Sequence, residues 1–341
     1  MAKQGRIFAV IFLALLIPVL LKAPESEAKV YRGKCKSNLA WSYDSKTKTM
    51  FIDCKGDMPD DEQFYGLDMG WKEYYLKTKK VIFKKGISSI GVGVFDNFQN
   101  LEEIALPEGL RTIKYAAFWD CNSLNKINIP LSLRKIEKNA FDSSGLTKFS
   151  LKNIKKVGSY SFMRSDLVKI SIPANCKIGS FAFWDCKKLK KATIERGVKN
   201  ISDGMFCATA LKNITIPGSV TKIGEDAFSY CQNLKKATLH EGVKKISKDA
   251  FSNTALEEIT IPSTVTELGK NAFRWESTEK SSLKKVVIRS KNIKKWGTMV
   301  FGATRDDLVI YVPQSKKAEY EKILRSTNGL DFHAKIVGKN W

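Results

Sequence analysis

The stretch Leu211-Lys212-Asn213-Ile214-Thr215-Ile216-Pro217-Gly218-Ser219-Val220-Thr221-Lys222-Ile223-Gly224-Glu225-Asp226-Ala227-Phe228-Ser229-Tyr230-Cys231 decides the fold. In a strand, side chains alternate between faces, so Ile214 and Ile216 point inward while Asn213 and Thr215 point out. Pro217 ends the ladder because it has no N–H to give. Val220 and Ile223 carry the apolar side round a bend, Gly224 turns the chain, and Ala227-Phe228 pack on the opposite side. The phrase recurs in both directions from here. Its phenylalanines are Phe95, Phe118, Phe141, Phe162, Phe183, Phe206, Phe228, Phe251, Phe273 and Phe301, spaced by 23, 23, 21, 21, 23, 22, 23, 22 and 28 residues. A fixed period of that size marks a stacked solenoid, in which each unit buries its apolar face only against its neighbours. At about 4.8 Å per coil, ten coils make a rod about 45 Å long.

The pattern L-x-x-I-x-I-P-x-x-V-x-x-I-G-x-x-A-F-x-x-C resembles the BspA-type leucine-rich repeat, and residues 211–231 match it throughout. The opening Gly33-Lys34-Cys35 through Trp41 to Lys55-Gly56 is similar to the segment that commonly precedes such repeats in secreted bacterial proteins. The ending, residues 308–320, resembles the family's closing strand, V-P and short helix. The resemblance implies an extracellular or surface role in adhesion and in protein or glycan binding and does not imply catalysis; no enzymatic activity and no cofactor are expected. It does not transfer a ligand. Departures are Lys152, Glu195, His240 and Arg289 in place of the strand-ending proline, and an insertion around residues 275–282.

The expected fold is thus an α/β, β-rich leucine-rich-repeat solenoid. It has about ten coils of 21–23 residues with a parallel sheet on one side, capped at both ends. Residues 1–28 read as a signal peptide. Lys3 and Arg6 precede an apolar run over residues 7–21, and Ser26-Glu27-Ala28 fits small-x-small cleavage before Lys29. Fifteen apolar residues fall short of the roughly 20 that a spanning helix needs. No spanning segment is expected after cleavage, and the mature chain is expected outside the cell, secreted or held at the surface, as a monomer. Residues 29–80 read as an atypical N-terminal cap: a hairpin, Leu39-Ala40-Trp41-Ser42-Tyr43 against Thr49-Met50-Phe51-Ile52-Asp53-Cys54, then the aromatics Phe64, Tyr65, Trp71, Tyr74 and Tyr75. Repeats fill residues 81–312. A helical period at Ala318, Tyr320, Ile323 and Leu324 belongs to a C-terminal cap over 313–341.

With 58 basic and 35 acidic residues the chain carries +23. Three bases and two acids within the first 28 residues hold one of those charges, leaving +22 on the rest. Such an excess attracts wall polymer, sulfated glycan, nucleic acid or anionic lipid without specifying any of them, and no specific nucleic-acid recognition is expected. Two positions after the repeat leucine stand Lys126, Lys148, Lys169, Lys191, Lys236 and Lys285. Like charges stacked at strand spacing repel one another. A candidate basic binding stripe for an anionic partner therefore stands beside the plainer reading of a solvated face. A second row, Lys135, Lys156, Lys177, Lys222, Lys245 and Lys295, precedes the next core residue. Trp119, Trp184, Tyr230 and Trp275 follow repeat phenylalanines and form a candidate aromatic edge, or a cover for the coil rim.

Catalytic and metal-ligating sets are missing from the pattern. The two histidines, His240 and His333, make no metal spacing, and His240-Glu241-Gly242 continues to Lys244 where H-E-x-x-H needs its second histidine. Cys121, Cys186 and Cys231 each lie three residues after a repeat phenylalanine, too far apart along the stack to bridge, and read as small buried groups. Only Cys35 and Cys54 form a candidate disulfide, if the cap hairpin brings their strands together.

Overall fold

Alternation within the repeats produces a row of short parallel strands. The computed structural model describes residues 28–35, 39–84, 86–276, 281–302, 305, 307–327, 330 and 333–341. The export segment other than Ala28, residues 277–280 of the 275–282 insertion and the Asn328-Gly329 turn lie outside them. In the first row stand Glu103–Ala105, Lys126–Ile127, Lys169–Ile172, Lys191–Ile194, Asn213–Ile216, Lys236–Leu239, Glu258–Ile261 and Lys285–Ile288. Equivalent residues face one another across coils, as in Glu258 with Lys285 and Ile261 with Ile288. Ile214 and Ile216 are buried and Asn213 and Thr215 exposed, as period two requires.

The repeat phenylalanines form one column through the core. From Phe95 to Phe301 each ring stacks on the next, with centroids 5.1–5.7 Å apart and planes within 1–18°. The solenoid has about 11 turns, one more than the phenylalanines announce. The extra turn comes from the N-terminal segment: Thr49–Cys54 pairs in parallel with Lys80–Phe83. Trp71 stacks on Phe95 at 5.9 Å and 4°, serving as the first ring of the column.

A second row runs along the bend, where the sequence suggested only turn. Its members are two residues long, among them Lys135–Ile136, Lys156–Val157, Lys177–Ile178 and Lys222–Ile223. The glycine after the apolar residue lets coils approach there: a Cβ on Gly158 would stand 2.4 Å from the Lys138 nitrogen. A third set of inter-coil bonds surrounds each phenylalanine. The N–H groups of Asp226, Phe228 and Tyr230 donate to the carbonyls of Lys248, Ala250 and Ser252 at 3.1, 2.9 and 3.0 Å. Residues two before and two after the ring take positive φ, as Asp226 (52°) and Tyr230 (57°) do, so alternate N–H groups point to the same neighbour.

Both ends are covered. In the N-terminal segment β1 (Val30–Cys35), β2 (Leu39–Asp44) and β3 (Thr49–Cys54) form an antiparallel sheet that continues into the first row. The expectation that Cys35 and Cys54 lie on adjacent strands does not hold. Cys35 is opposite Leu39, and Leu39 is opposite Cys54, so β2 stands between them. Two strand spacings, about 9.6 Å, exceed the reach of a disulfide. At the other end, α1 (Lys317–Thr327) buries Tyr320 and Leu324. The Tyr320 hydroxyl accepts from the Ile293 N–H and donates to the Ser290 carbonyl, both at 3.2 Å. Val309–Pro313 and Lys335–Lys339 extend the first row beneath it.

Candidate functional site

The first row is interrupted at two places along its length, the wider of them around residues 148–151. Residues 148–151 form no strand, and Lys169–Ile172 pairs only with Lys191–Ile194. The physical reason is size. Phe149 occupies an inward position that Ile104, Ile170, Ile214 and Ile259 fill elsewhere, and its ring packs against Phe141 at 5.4 Å and Phe162 at 4.8 Å. The ladder loosens one coil earlier, where the Asn128 side chain takes the place of backbone. Its Oδ1 accepts from the Leu106 N–H at 2.6 Å and its Nδ2 donates to the Leu106 carbonyl at 2.7 Å. Ile127 and Ile129, inward residues whose counterparts Ile104 and Leu106 are buried, are left half-exposed.

A cleft of about 1050 Å³ occupies this interruption. Ile127, Ile129, Phe149, Leu151 and Ile170 supply its apolar surface, and Ser150, Ser171 and Thr193 contribute hydroxyls. Lys148, Lys169 and Lys191, three members of the predicted stripe, line the same cleft. A further break between Lys191–Ile194 and Asn213–Ile216 carries a cleft of about 790 Å³. The exposed His240 lies on the rim of this second cleft.

The structure divides the six predicted lysines by their surroundings. Lys285 pairs with Glu258 at 3.5 Å, and Glu258 is also the register neighbour of Lys236. Lys126 has Glu103 as its register neighbour, whereas Lys148, Lys169 and Lys191, which follow it along the row, are exposed and form no ion pair among the described residues. Lys169 and Lys191 are direct register partners. Two ammonium groups at strand spacing repel by about 0.9 kcal/mol in water, and acids elsewhere in the row relieve that cost. The second row repeats the division. Lys135 pairs with Glu137, Lys222 with Asp203, and Lys245 and Lys295 with Glu267, whereas Lys156 and Lys177 have no ion-pair partner among the described residues. Uncompensated charge in both rows therefore falls on the same central coils as the larger cleft. The sequence carried a signal for it: the two 21-residue spacings, Phe141 to Phe162 and Phe162 to Phe183, mark these shortened coils.

The four predicted edge aromatics do not come together. Trp119 and Trp184 directly follow a phenylalanine, Tyr230 and Trp275 stand two after one, and among the described residues no two of these four rings pair. Trp184 instead joins Tyr160 and Phe181, with centroids 6.3 and 5.7 Å away. Tyr230 is the most exposed, at 47%, and its hydroxyl donates to Glu276 at 2.8 Å. Ala28 and Lys29 are exposed.

The buried thiols are structural. Cys121, Cys186 and Cys231 hold the carbonyls of Phe95, Phe162 and Phe206 in the preceding coil, at 3.1, 3.1 and 3.0 Å. Burial pushes Cys186 up to about 12 and Cys231 up to about 11, so both stay protonated and unfit as nucleophiles. Among the described residues no group of acids, histidines and cysteines could hold a metal ion, and no helix is long and apolar enough to cross a membrane.

Comparison with known proteins agrees with the geometry. The family described as BspA type Leucine rich repeat region matches residues 73–177 and 155–280, in six copies. No curated protein matches the chain. Among solved structures, a leucine-rich repeat protein from Eubacterium ventriosum is 22% identical, with 83% of this chain and 84% of that one covered and a TM-score of 0.57, a likeness of fold. A leucine rich cell surface protein from Faecalibacterium prausnitzii is 19% identical over 91% and 95% of the two chains, with a TM-score of 0.43. A leucine-rich repeat protein from Bacteroides ovatus is 17% identical over 89% and 99%, with a TM-score of 0.41.

Proposed function

The chain belongs to the BspA-type leucine-rich repeat family, and on that premise we propose that it is an exported or cell-surface binding protein. It recognises an extracellular protein or glycan through the outer face of its central coils, without catalysis. Residues 1–28 serve as the export signal, and 29–80 and 313–341 close the repeat region at its ends. The observation that supports the reading most is the coincidence of uncompensated lysines with the interrupted first row and its 1050 Å³ cleft. A solvated scaffold needs neither the uncovered Ile127 and Ile129 nor a run of lysines whose repulsion no acid offsets.

The test is binding of the chain from Lys29 onward to arrays of matrix proteins, glycans and wall polymers at two salt concentrations. Retention on a protein or glycan, lost when Lys148, Lys169 and Lys191 are changed together to Glu, is the expected result. Unchanged binding by that variant refutes this site. A second reading, retention on an anionic polymer, draws support from the unpaired lysines of both rows. It demands affinity that falls steeply with salt and depends little on the polymer's identity.

A further inference from the structure

We infer that the central cleft docks an extended, acidic peptide segment of a partner protein. This inference rests on the proposed binding role and names its partner class. Three observations converge on one stretch of backbone, residues 148–151.

The first is an open set of hydrogen-bonding groups. Among the described residues, none of the N–H groups of Lys148, Phe149, Ser150 and Leu151 donates to another backbone, and the carbonyls of Lys148, Phe149 and Ser150 accept from none. Where the first row is continuous, as from Asn213–Ile216 through Lys285–Ile288, the corresponding groups are consumed by it. Backbone groups without partners can be completed by a guest chain that supplies the bonds the host lacks.

The second is apolar surface next to that backbone. Ile127 and Ile129 are half-exposed, and the cleft they share with Phe149 and Ile170 is large enough for a side chain or two. Phe149 is only 8% exposed and packs between two core rings, so it offers no flat face on which a sugar could stack. An apolar recess beside unpaired amides suits a peptide better than a saccharide.

The third is charge. Lys169 and Lys191 are register partners, Lys148 lines the same cleft, and none of the three has an ion-pair partner among the described residues. The nearest carboxylate on the lining, Glu195, accepts from the Ser171 hydroxyl at 3.1 Å. An extended segment with acids on one face and apolar residues on the other would place carboxylates on this row while its apolar side chains enter the recess.

The experiment titrates the chain from Lys29 onward with a fluorescent twelve-residue peptide alternating Glu and Leu, read by anisotropy. Three further probes are the same peptide N-methylated at alternate residues, poly-glutamate, and polygalacturonate. The expected result is saturable binding of the alternating peptide, weakened roughly tenfold by Lys169→Glu. N-methylation is expected to weaken it comparably, because it removes the donors that would complete the open ladder. Ser150→Pro deletes an N–H that bonds no backbone among the described residues, and with it only a long 3.4 Å bond from the exposed Lys152 N–H to the Ser150 hydroxyl, so it should lower the melting temperature little while reducing peptide affinity. If Ser150→Pro proves unstable, the N-methylated peptide and Lys169→Glu still decide the matter. Equal binding of poly-glutamate or polygalacturonate, indifferent to N-methylation, overturns the peptide in favour of a simple polyanion. Failure of every peptide while array binding persists overturns this inference and leaves the surface-binding role standing. Loss of array binding as well removes both.

Discussion

Phe183→Ala tests whether the phenylalanine column is the spine of the rod. The Phe183 ring is fully buried and lies between Phe162 at 5.6 Å and Phe206 at 5.7 Å, both planes within 13° of its own. Truncating a buried phenylalanine removes apolar burial and leaves a cavity, at about 3–5 kcal/mol. Here the upper part of that range applies, because two stacked neighbours lose their partner at once and each such pair is worth about 0.5–1.5 kcal/mol beyond area. The coils above and below are each also pinned to this one by two sets of backbone bonds, so the site has little freedom to collapse around the void. Because each coil contacts only its neighbours, damage at the middle of the stack cuts the rod into two shorter ones. Urea titration followed by circular dichroism should show the midpoint falling and the transition splitting, with the coils around residue 183 exchanging amide hydrogens first. Phe183→Leu, which keeps most of the volume, should recover more than half of the loss. A Phe183→Ala variant that loses less than about 1 kcal/mol would refute the reasoning, since even an ordinary buried phenylalanine costs more.

Gly158→Ala should destabilise by about 1–3 kcal/mol, because the added methyl meets the Lys138 and Glu137 backbone rather than a flexible side chain; thermal melting measures it. Asp96 is buried, and that burial first, then Asp120 and Asp61, raises its carboxyl to about 7. A raised acid holds its proton in the folded state while the unfolded chain has lost it. Stability from this group is therefore greatest below about pH 4, declines as pH climbs to about 7 and levels off beyond, with a slope of at most about 1.4 kcal/mol per pH unit. Asp96→Asn should flatten that decline in melting temperatures taken from pH 4 to 8. Cys121, Cys186 and Cys231, buried and hydrogen-bonded, should resist thiol reagents at pH 8 until the chain is unfolded, and rapid labelling of any of them in the native protein would contradict the assignment.

Much of the architecture is written in local pattern. Alternation at Ile214 and Ile216, the stop at Pro217, the turn at Gly224 and the ring at Phe228 each follow from a few consecutive residues, and their repetition announces stacking. The amphipathic period of Lys317–Thr327 is equally local, and so is the β2–β3 hairpin. What the chain order alone leaves undecided concerns contacts between coils, about 22 residues apart. The two-residue strands of the second row are too short to show a period and exist only because the neighbouring coil supplies their partners. Trp71 joins the column without an A-F phrase around it, which only its stacking on Phe95 reveals. The separation of Cys35 from Cys54 depends on which strand lies between them.

The lysine row was legible, but which of its members an acid neutralises was not, because that depends on side chains one coil away. The cleft is the furthest from sequence. One oversized inward residue, Phe149, and one asparagine that replaces backbone with side chain, Asn128, break the ladder where the larger cleft lies. Periodicity specifies where each side chain points. Whether neighbouring strands then close on one another is a question of volume and hydrogen-bond geometry, and only the assembled stack answers it.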